Sequence, residues 1–175
     1  MMAMKPKHVA ILVEQFYEEM EVWYPLLRLR EAGHKVSTVG PGRAPAYQGK
    51  HGYEVPEDLA IAKVKASQFD GVIVPGGYAP DHMRRTPAMA QLVKEIFQHQ
   101  HPVGAICHGP WLLASAGVLK GKRCTCFFAI KDDVVNAGAT YVDREVVRDG
   151  QLITSRMPSD LPAFMRTYLA ALAES

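Results

Sequence analysis

One cysteine stands where a buried strand is predicted to end and a helix to begin. The apolar run 102–106 leads into Cys107, and His108 and Gly109 then lead into a helix-like stretch. Residues 105–109 have the small-x-nucleophile-x-small layout of a nucleophile elbow, a turn that lifts the reactive side chain out of the sheet. A lone cysteine can also be a small buried hydrophobic residue, but the glycine and the helix start favour a reactive thiol. The helix amides downstream are expected to favour the thiolate.

A glutamate after the first predicted strand is the second candidate. Glu18, Glu19 and Glu21 open a predicted helix, where acidic side chains complement the amides of the first turn. Glu21 differs because Pro25 lies four residues later and lacks the N–H that would bond the carbonyl of residue 21, so the helix should kink there. A carboxyl pressed against a thiol in a partly dry crevice has a raised pKa. Glu21 is therefore expected to donate to the sulfur or to shuttle a proton.

Two glycines and an aspartate follow the third predicted strand. Gly76 and Gly77 could form only a tight turn, but without a Cβ their amides can approach a ligand closely, as an oxyanion hole requires. The amide of His108 would be the second donor. The His108 side chain is either a polar turn residue or a group that exchanges protons with the substrate, because neighbouring side chains on an elbow diverge. Asp81, taken alone, is a turn or N-cap residue.

Short apolar runs alternate with helical patterns along the first two thirds of the chain. This alternation predicts an α/β fold, a parallel sheet with helices on both faces. The last third changes to a predicted β-hairpin around Asp149-Gly150 and a C-terminal amphipathic helix that covers the sheet. The Gly- and Pro-rich stretch 40–52 is interpreted as a surface loop. The predicted strands are 9–13, 36–39, 71–74 and 103–106, the helices begin at Glu18 and Thr86-Pro87, and the hairpin arms are 141–148 and 151–155.

The composition predicts one compact domain over residues 1–175. Hydrophobic residues make up 48% of the chain and the formal net charge is +2, with scattered basic residues that argue against a nucleic-acid partner. The apolar runs are too short for a bilayer, and Met1 to Lys7 is too short and polar for a signal peptide, so a cytoplasmic protein with free thiols and no membrane partner is expected. Cys124 and Cys126 lack a further ligand pair at zinc spacing, and no phosphate or dinucleotide motif occurs. Neither a metal nor an organic cofactor is expected.

Short motifs, in the same order along nearly the whole chain, resemble the PfpI-type intracellular proteases. That family lies within the superfamily that also holds the parkinsonism-associated protein deglycase and the class I glutamine amidotransferase-like domains. The matching motifs are Glu18-Glu19-Met20-Glu21, Gly49-Lys50-His51-Gly52-Tyr53, Val74-Pro75-Gly76-Gly77-Tyr78-Ala79-Pro80, Ala105-Ile106-Cys107-His108-Gly109-Pro110, Ala116-Gly117-Val118-Leu119, Ile130-Lys131-Asp132-Asp133 and Asn136-Ala137-Gly138.

The resemblance implies a flavodoxin-like three-layer α/β/α sandwich without a cofactor, assembled as a homo-oligomer, either a dimer or a hexamer. It implies that Cys107 is the nucleophile, that His108 is its adjacent histidine and that Glu21 hydrogen-bonds the thiol. Asp81 matches an acidic position that a neighbouring subunit contributes to orient the histidine, which would place the site near an interface.

The chain departs from the family pattern at the predicted pocket wall. Phe127 stands where many relatives carry a tyrosine, which removes a hydroxyl from the pocket. Trp111 replaces a residue that is smaller or polar in some relatives, at the mouth of the site. Substrate preference is therefore expected to differ from theirs.

Three functional hypotheses follow. In the first, a stress-response enzyme of glyoxalase or protein deglycase type uses the Cys107 thiolate to attack the aldehyde of methylglyoxal or of an early glycation adduct. In the second, an intracellular peptidase forms an acyl-enzyme on Cys107 while the amides of Gly77 and His108 hold the oxyanion. The third is a redox-sensing or chaperone-like protein in which Cys107 is oxidised to sulfinate. The first is preferred because a thiol at a sheet end beside Glu21 suits a small substrate better than an extended peptide.

Overall fold

A seven-stranded sheet forms the centre of the computed structural model, which describes residues 5–175. Its strands are β1 (His8–Leu12), β2 (Lys35–Gly40), β5 (Leu59–Ala60), β6 (Gly71–Val74), β7 (Val103–Ile106), β10 (Val146–Asp149) and β11 (Leu152–Ser155). Their order is β10-β11-β7-β6-β1-β2-β5, and every pairing is parallel except that of β10 with β11. The four strands predicted from apolar runs are therefore confirmed.

Two helical layers cover this sheet. The helices are α1 (Glu19–Glu31), α2 (Ala79–Arg84), α3 (Pro87–Gln98), α4 (Pro110–Ala116), α5 (Lys131–Asn136) and α6 (Leu161–Glu174). Helix α1 packs against α6, whereas α2, α3 and α4 pack against one another and α4 contacts α5. Apolar side chains from both layers close on strands such as β1, whose residues Val9 to Leu12 are fully buried. The fold is the expected flavodoxin-like sandwich, with the C-terminal helix in the expected place.

The stretch 40–52 corrects one prediction. It is not simply a loop, because β3 (Ala46–Gln48) lies within it and pairs antiparallel with β4 (Glu54–Pro56). Buried Tyr47 and Val55 anchor this small sheet in the core. Glycine and proline punctuate the stretch so closely that the three-residue strand leaves no visible alternation in the sequence.

The late hairpin is confirmed, with different bounds. Its first arm begins at Val146 rather than at residue 141, and the two-residue turn is Gly150-Gln151. Tyr141 belongs instead to β9 (Thr140–Tyr141), which pairs with β8 (Arg123–Cys124) in a separate two-stranded sheet. Gly150 adopts a positive φ of 63°, which glycine tolerates well. The turn therefore lies one residue after the predicted dipeptide Asp149-Gly150.

No helix in the described part of the chain is long and apolar enough to cross a membrane. The predicted absence of a signal peptide concerns Met1 to Lys7, and residues 1–4 of that segment lie outside the described residues. Short 3-10 turns complete the backbone at Ile61–Lys63, Ala66–Gln68, Phe128–Ile130 and Pro158–Asp160.

Candidate active site

Cys107 stands on a strained turn between β7 and α4. Its φ is +61°, a left-handed conformation that costs a non-glycine residue roughly 1–2 kcal/mol. The turn is held by backbone hydrogen bonds: the Cys107 amide donates to the Ser155 carbonyl at 3.0 Å, and the Gly109 amide donates to the Ile106 carbonyl at 2.8 Å. The residue is 9% exposed. The backbone therefore has the geometry of a nucleophile elbow, with the sulfur at the floor of a cavity.

Glu21 approaches this thiol from the first turn of α1. Its side chain is fully buried, and its Oε2 accepts a hydrogen bond of 2.7 Å from the Gly76 amide. The other oxygen, Oε1, has no hydrogen-bond partner of normal geometry among the described residues. Burial, with a smaller contribution from the charge of Glu18, raises the pKa of Glu21 to about 8. The carboxyl is thus poised to hold a proton near neutral pH, as expected for a group that shuttles protons.

His108 contacts the sulfur directly, a contact that divergence of neighbouring side chains did not lead us to expect. Its Nδ1 lies 3.2 Å from Cys107 Sγ. The imidazole stacks on Phe127, with 5.1 Å between ring centroids, and meets the edge of Trp111 at 5.0 Å. Burial and the positive charge of Lys50 lower the pKa of His108, which favours the neutral ring. A neutral imidazole can accept the thiol proton.

The amides of Gly77 and His108 lower the pKa of the Cys107 thiol. Burial and the negative charge of Glu21 outweigh them, so the pKa of the thiol is raised above its ordinary value. This differs from the expectation that helix amides would favour the thiolate. Helix α4 is only seven residues long, and desolvation of the sulfur is the larger effect. The thiolate must therefore form by transfer of its proton to a neighbour.

Gly76 allows these groups to come together. A Cβ built on Gly76 would lie 2.7 Å from Cys107 Cβ, 2.7 Å from Glu21 Oε2 and 2.8 Å from the His108 nitrogen. Any side chain at this position would push apart the thiol, the carboxyl and the amide of the elbow. Gly77 follows with a φ of +72°, and its turn is held by the hydrogen bond from the Tyr78 amide to the Phe16 carbonyl.

The thiol opens into a cavity of about 440 Å³. Lys50 lies in its wall and forms an ion pair with Glu18, with 2.6 Å between Nζ and Oε2. Sequence reasoning missed Lys50, although it lies in one of the motifs that carry the family resemblance, and interpreted Glu18 only as a complement to the helix terminus. The lining residues are Glu18, Glu21, Lys50, Gly77, Tyr78, Cys107, His108, Phe127, Met157 and Pro158.

Two residues named from the sequence lie outside this cavity. Trp111 does not line it; its indole packs on His108 and donates a hydrogen bond of 2.8 Å to Asp133 Oδ2. Asp81 lies in the first turn of α2, with half of its side chain exposed, and pairs with Arg85 at 2.5 Å. It makes no hydrogen bond to His108 of its own chain among the described residues. Trp111 is thus a support for the histidine rather than a pocket wall.

Acidic and thiol groups elsewhere do not assemble a metal centre with free ligands in residues 5–175. The set with metal-ligand spacing is Glu18, Glu19 and His51. Glu19 accepts hydrogen bonds from the amide and ring of His51, and Glu18 is paired with Lys50. Cys124 and Cys126 are buried free thiols.

The mostly parallel α/β/α sandwich makes the chain a flavodoxin-like protein, with a cysteine elbow beside a buried glutamate. Comparison with known proteins identifies its family. Residues 7–171 match the DJ-1/PfpI family, and the chain belongs to it. It is 44% identical over 164 residues to Deglycase PYRAB04690 of Pyrococcus abyssi, covering 94% of this chain and 98% of that protein. It is 40% identical over 166 residues to YraA of Bacillus subtilis, named provisionally as a cysteine protease, covering 95% and 98%.

The fold is also that of a solved structure. A two-domain protein from Anabaena variabilis with DJ-1/ThiJ/PfpI-like and ferritin-like domains superposes with a TM-score of 0.92 at 43% identity. The match covers 95% of this chain and 48% of that one, so the chain spans about half of that protein's length.

Proposed function

We propose that the chain is a cysteine-dependent enzyme of the glyoxalase or protein deglycase type, acting on small reactive carbonyls. The observation that carries the proposal is the buried carboxyl of Glu21, one oxygen of which has no hydrogen-bond partner among residues 5–175, beside the Cys107 thiol that His108 contacts at 3.2 Å. These groups can move protons around a carbon bound to sulfur. The cavity of about 440 Å³ fits a small aldehyde, and a relative at 44% identity is named a deglycase.

In the proposed reaction with methylglyoxal, His108 Nδ1 first accepts the proton of the Cys107 thiol. The sulfur then forms a bond to the aldehyde carbon, and the amides of Gly77 and His108 stabilise the oxyanion until the imidazolium protonates it. Glu21 and His108 next move the hydrogen of that carbon, as a proton, to the adjacent ketone carbon, while the hydroxyl proton passes to the ketone oxygen, which gives a lactoyl thioester. Water breaks the carbon–sulfur bond and releases lactate and the thiol. One water is added overall, with no external oxidant or reductant.

An early glycation adduct enters the same sequence. The Cys107 thiolate attacks the hemiaminal carbon, the amine that carried the adduct leaves with a proton, and the resulting thiohemiacetal rearranges to the thioester as above. Hydrolysis of the thioester then releases lactate or glycolate. The repaired amine is the second product.

Lactate production from methylglyoxal tests the proposal. Wild-type protein is expected to form lactate, and Cys107→Ala to lose all but about a thousandth of the rate, since the covalent step is lost. Cys124→Ala is the matched control, because it removes a buried thiol that does not line the cavity. No lactate from wild type, or equal loss in both variants, would sink the proposal.

A peptidase is the second candidate, favoured by the amides of Gly77 and His108, which act on the Cys107 thiol, and by the name of the Bacillus subtilis relative. An oxyanion hole of this kind also suits an acyl-enzyme. Cleavage of casein or peptides that Cys107→Ala abolishes, with no lactate from methylglyoxal, would establish this alternative over the first.

A redox-sensing or chaperone-like role is the third candidate. Cys107 carries the group that peroxide would oxidise to sulfinate, but its raised pKa leaves little thiolate for that reaction. Intact mass after mild peroxide tests this role, and oxidation that spares Cys107 rules out the sensor.

The proposed active form is a homo-oligomer, a dimer or a hexamer, in which Asp81 of one subunit orients His108 of another. Asp81 is half exposed and its partner within the chain, Arg85, is itself exposed, so the carboxylate is available to a neighbouring chain. The proposed location is the cytoplasm, a reducing compartment that suits the three free cysteines. Nucleic acid and membranes are not proposed as partners.

A further inference from the structure

Lys50 is fixed in the wall of the cavity by contacts at both ends of the residue. Its backbone amide donates to the Tyr17 carbonyl at 2.9 Å, and its Nζ lies 2.6 Å from Glu18 Oε2. The next residue, His51, is bound through its amide and ring to Glu19 at 2.6 and 2.9 Å. The turn that carries Lys50 is therefore tied to the start of α1, the same helix that supplies Glu21.

Among the described residues that line this cavity, Lys50 is the one with a permanent positive charge. Hydrogen bonding to Glu18 is the main cause that raises the pKa of Lys50, and negative charge on Cys107 or Glu21 raises it further. The same ammonium lowers the pKa of His108. Lys50 thus interacts with each of the three groups that exchange protons in the proposed reaction.

We propose that Lys50 is a positioning residue for the proton of Cys107: its ammonium, held by Glu18, stabilises the thiolate and drives the proton from His108 toward the substrate. An opposite charge nearby favours the charged form of an acid, and a like charge disfavours a protonated imidazole. The lysine therefore stabilises the thiolate once the thiol proton has left and, because it disfavours the imidazolium, favours delivery of that proton to the new oxyanion. The proposal rests on the cysteine chemistry of the proposed function.

Titration of the Cys107 thiolate by ultraviolet absorbance tests this role. The spectrum of the matching Cys107→Ser protein is subtracted each time, which removes the signal of Cys124 and Cys126. In Lys50→Met the thiolate fraction, at a fixed pH below the midpoint, is expected to fall about tenfold, which is a shift of about one pH unit. Lys50→Arg keeps the charge and should restore the fraction to within about threefold of wild type.

Lys94→Met is the control, because Lys94 is exposed on α3 and does not line this cavity. It should titrate like wild type. A Lys50→Met curve that superposes on the wild-type curve would overturn the proposal, and so would a Lys50→Arg curve displaced as far as that of Lys50→Met. The titration needs no substrate. Absence of lactate formation would therefore refute the carbonyl chemistry while the titration still decides the role of Lys50.

Discussion

Replacing Glu21 by glutamine should change how the stability of the protein depends on pH. Burial raises the pKa of Glu21 from 4.5 to about 8, so the folded chain holds this proton more tightly than the unfolded chain does. The contribution of protonated Glu21 to stability is complete below about pH 4.5, declines as the pH rises, and is lost once the pH has passed about 8. Glutamine keeps the shape and an oxygen for the Gly76 amide but does not titrate.

The magnitude follows from that pKa. At roughly 1.4 kcal/mol for each pH unit between 4.5 and about 8, the ceiling is about 5 kcal/mol. Movement of water toward the carboxylate would reduce this ceiling. Between pH 5 and pH 8 we therefore expect the free energy of unfolding of wild type to fall relative to Glu21→Gln by several kcal/mol, up to about 4.

Urea denaturation of the two proteins at a series of pH values measures this difference, and subtraction cancels the other titrating groups. The experiment is repeated in a Cys107→Ala background, because the thiol and the carboxyl influence each other. Glu19→Gln is the contrast on the same helix: burial raises the pKa of Glu19, but hydrogen bonds from His51 lower it overall. Its difference from wild type should shrink as the pH falls into the acid range, a trend opposite to that of Glu21→Gln. A difference between wild type and Glu21→Gln that does not vary from pH 5 to pH 8 would refute the reasoning.

Two further predictions concern Gly76 and Asp81. Gly76→Ala should cost about 1–3 kcal/mol through overpacking and abolish activity, since the new Cβ displaces Cys107 and Glu21. Gly121→Ala should cost a similar amount, about 1–2 kcal/mol, because its φ is +73°, but it should stay active because nothing lies within 4 Å of the new Cβ. Equal activity of the two variants, assayed under conditions in which both are folded, would contradict the packing argument. Asp81→Ala and Cys107→Ala are each expected to be inactive. If the proposed oligomer is a dimer, unfolding and refolding the two variants together should restore about a quarter of wild-type activity, because each mixed dimer contains one intact site. No recovery in mixed dimers confirmed by mass would rule out the shared site.

The central sheet was predictable because its strands are continuous apolar runs. Val72 to Val74 and Val103 to Ile106 are buried on both faces, so each reads as a strand without help from its neighbours. The pair β3 and β4 was not predictable in this way. It is held by Tyr47 and Val55, single buried residues among glycine, proline and charged side chains, and its three-residue strands are too short to show a period.

The position of the nucleophile was predictable from local sequence, because an elbow is a local structure. Its neighbours were predictable only in part. The hydrogen bond from Gly76 to Glu21 joins residues 55 positions apart, and no pattern around either residue specifies it. Glu21 could be singled out because Pro25, a proline inside a predicted helix, follows it close to a strand end. Lys50 lies in an ordinary polar turn, and no unusual residue near it indicates a site.

The sign of the pKa shift at Cys107 shows why the electrostatics of this site cannot be deduced from the elbow alone. The elbow supplies the amide of His108 and the turn after β6 supplies that of Gly77, and both lower the pKa of the thiol. Desolvation depends on the elements that surround the sulfur, and here Glu21 of α1 and Lys50 line the same cavity as Cys107. A buried thiol beside a carboxyl keeps its proton until a partner takes it. In the proposed reaction, formation of the thiolate is therefore coupled to the arrival of a substrate that can accept that proton through His108.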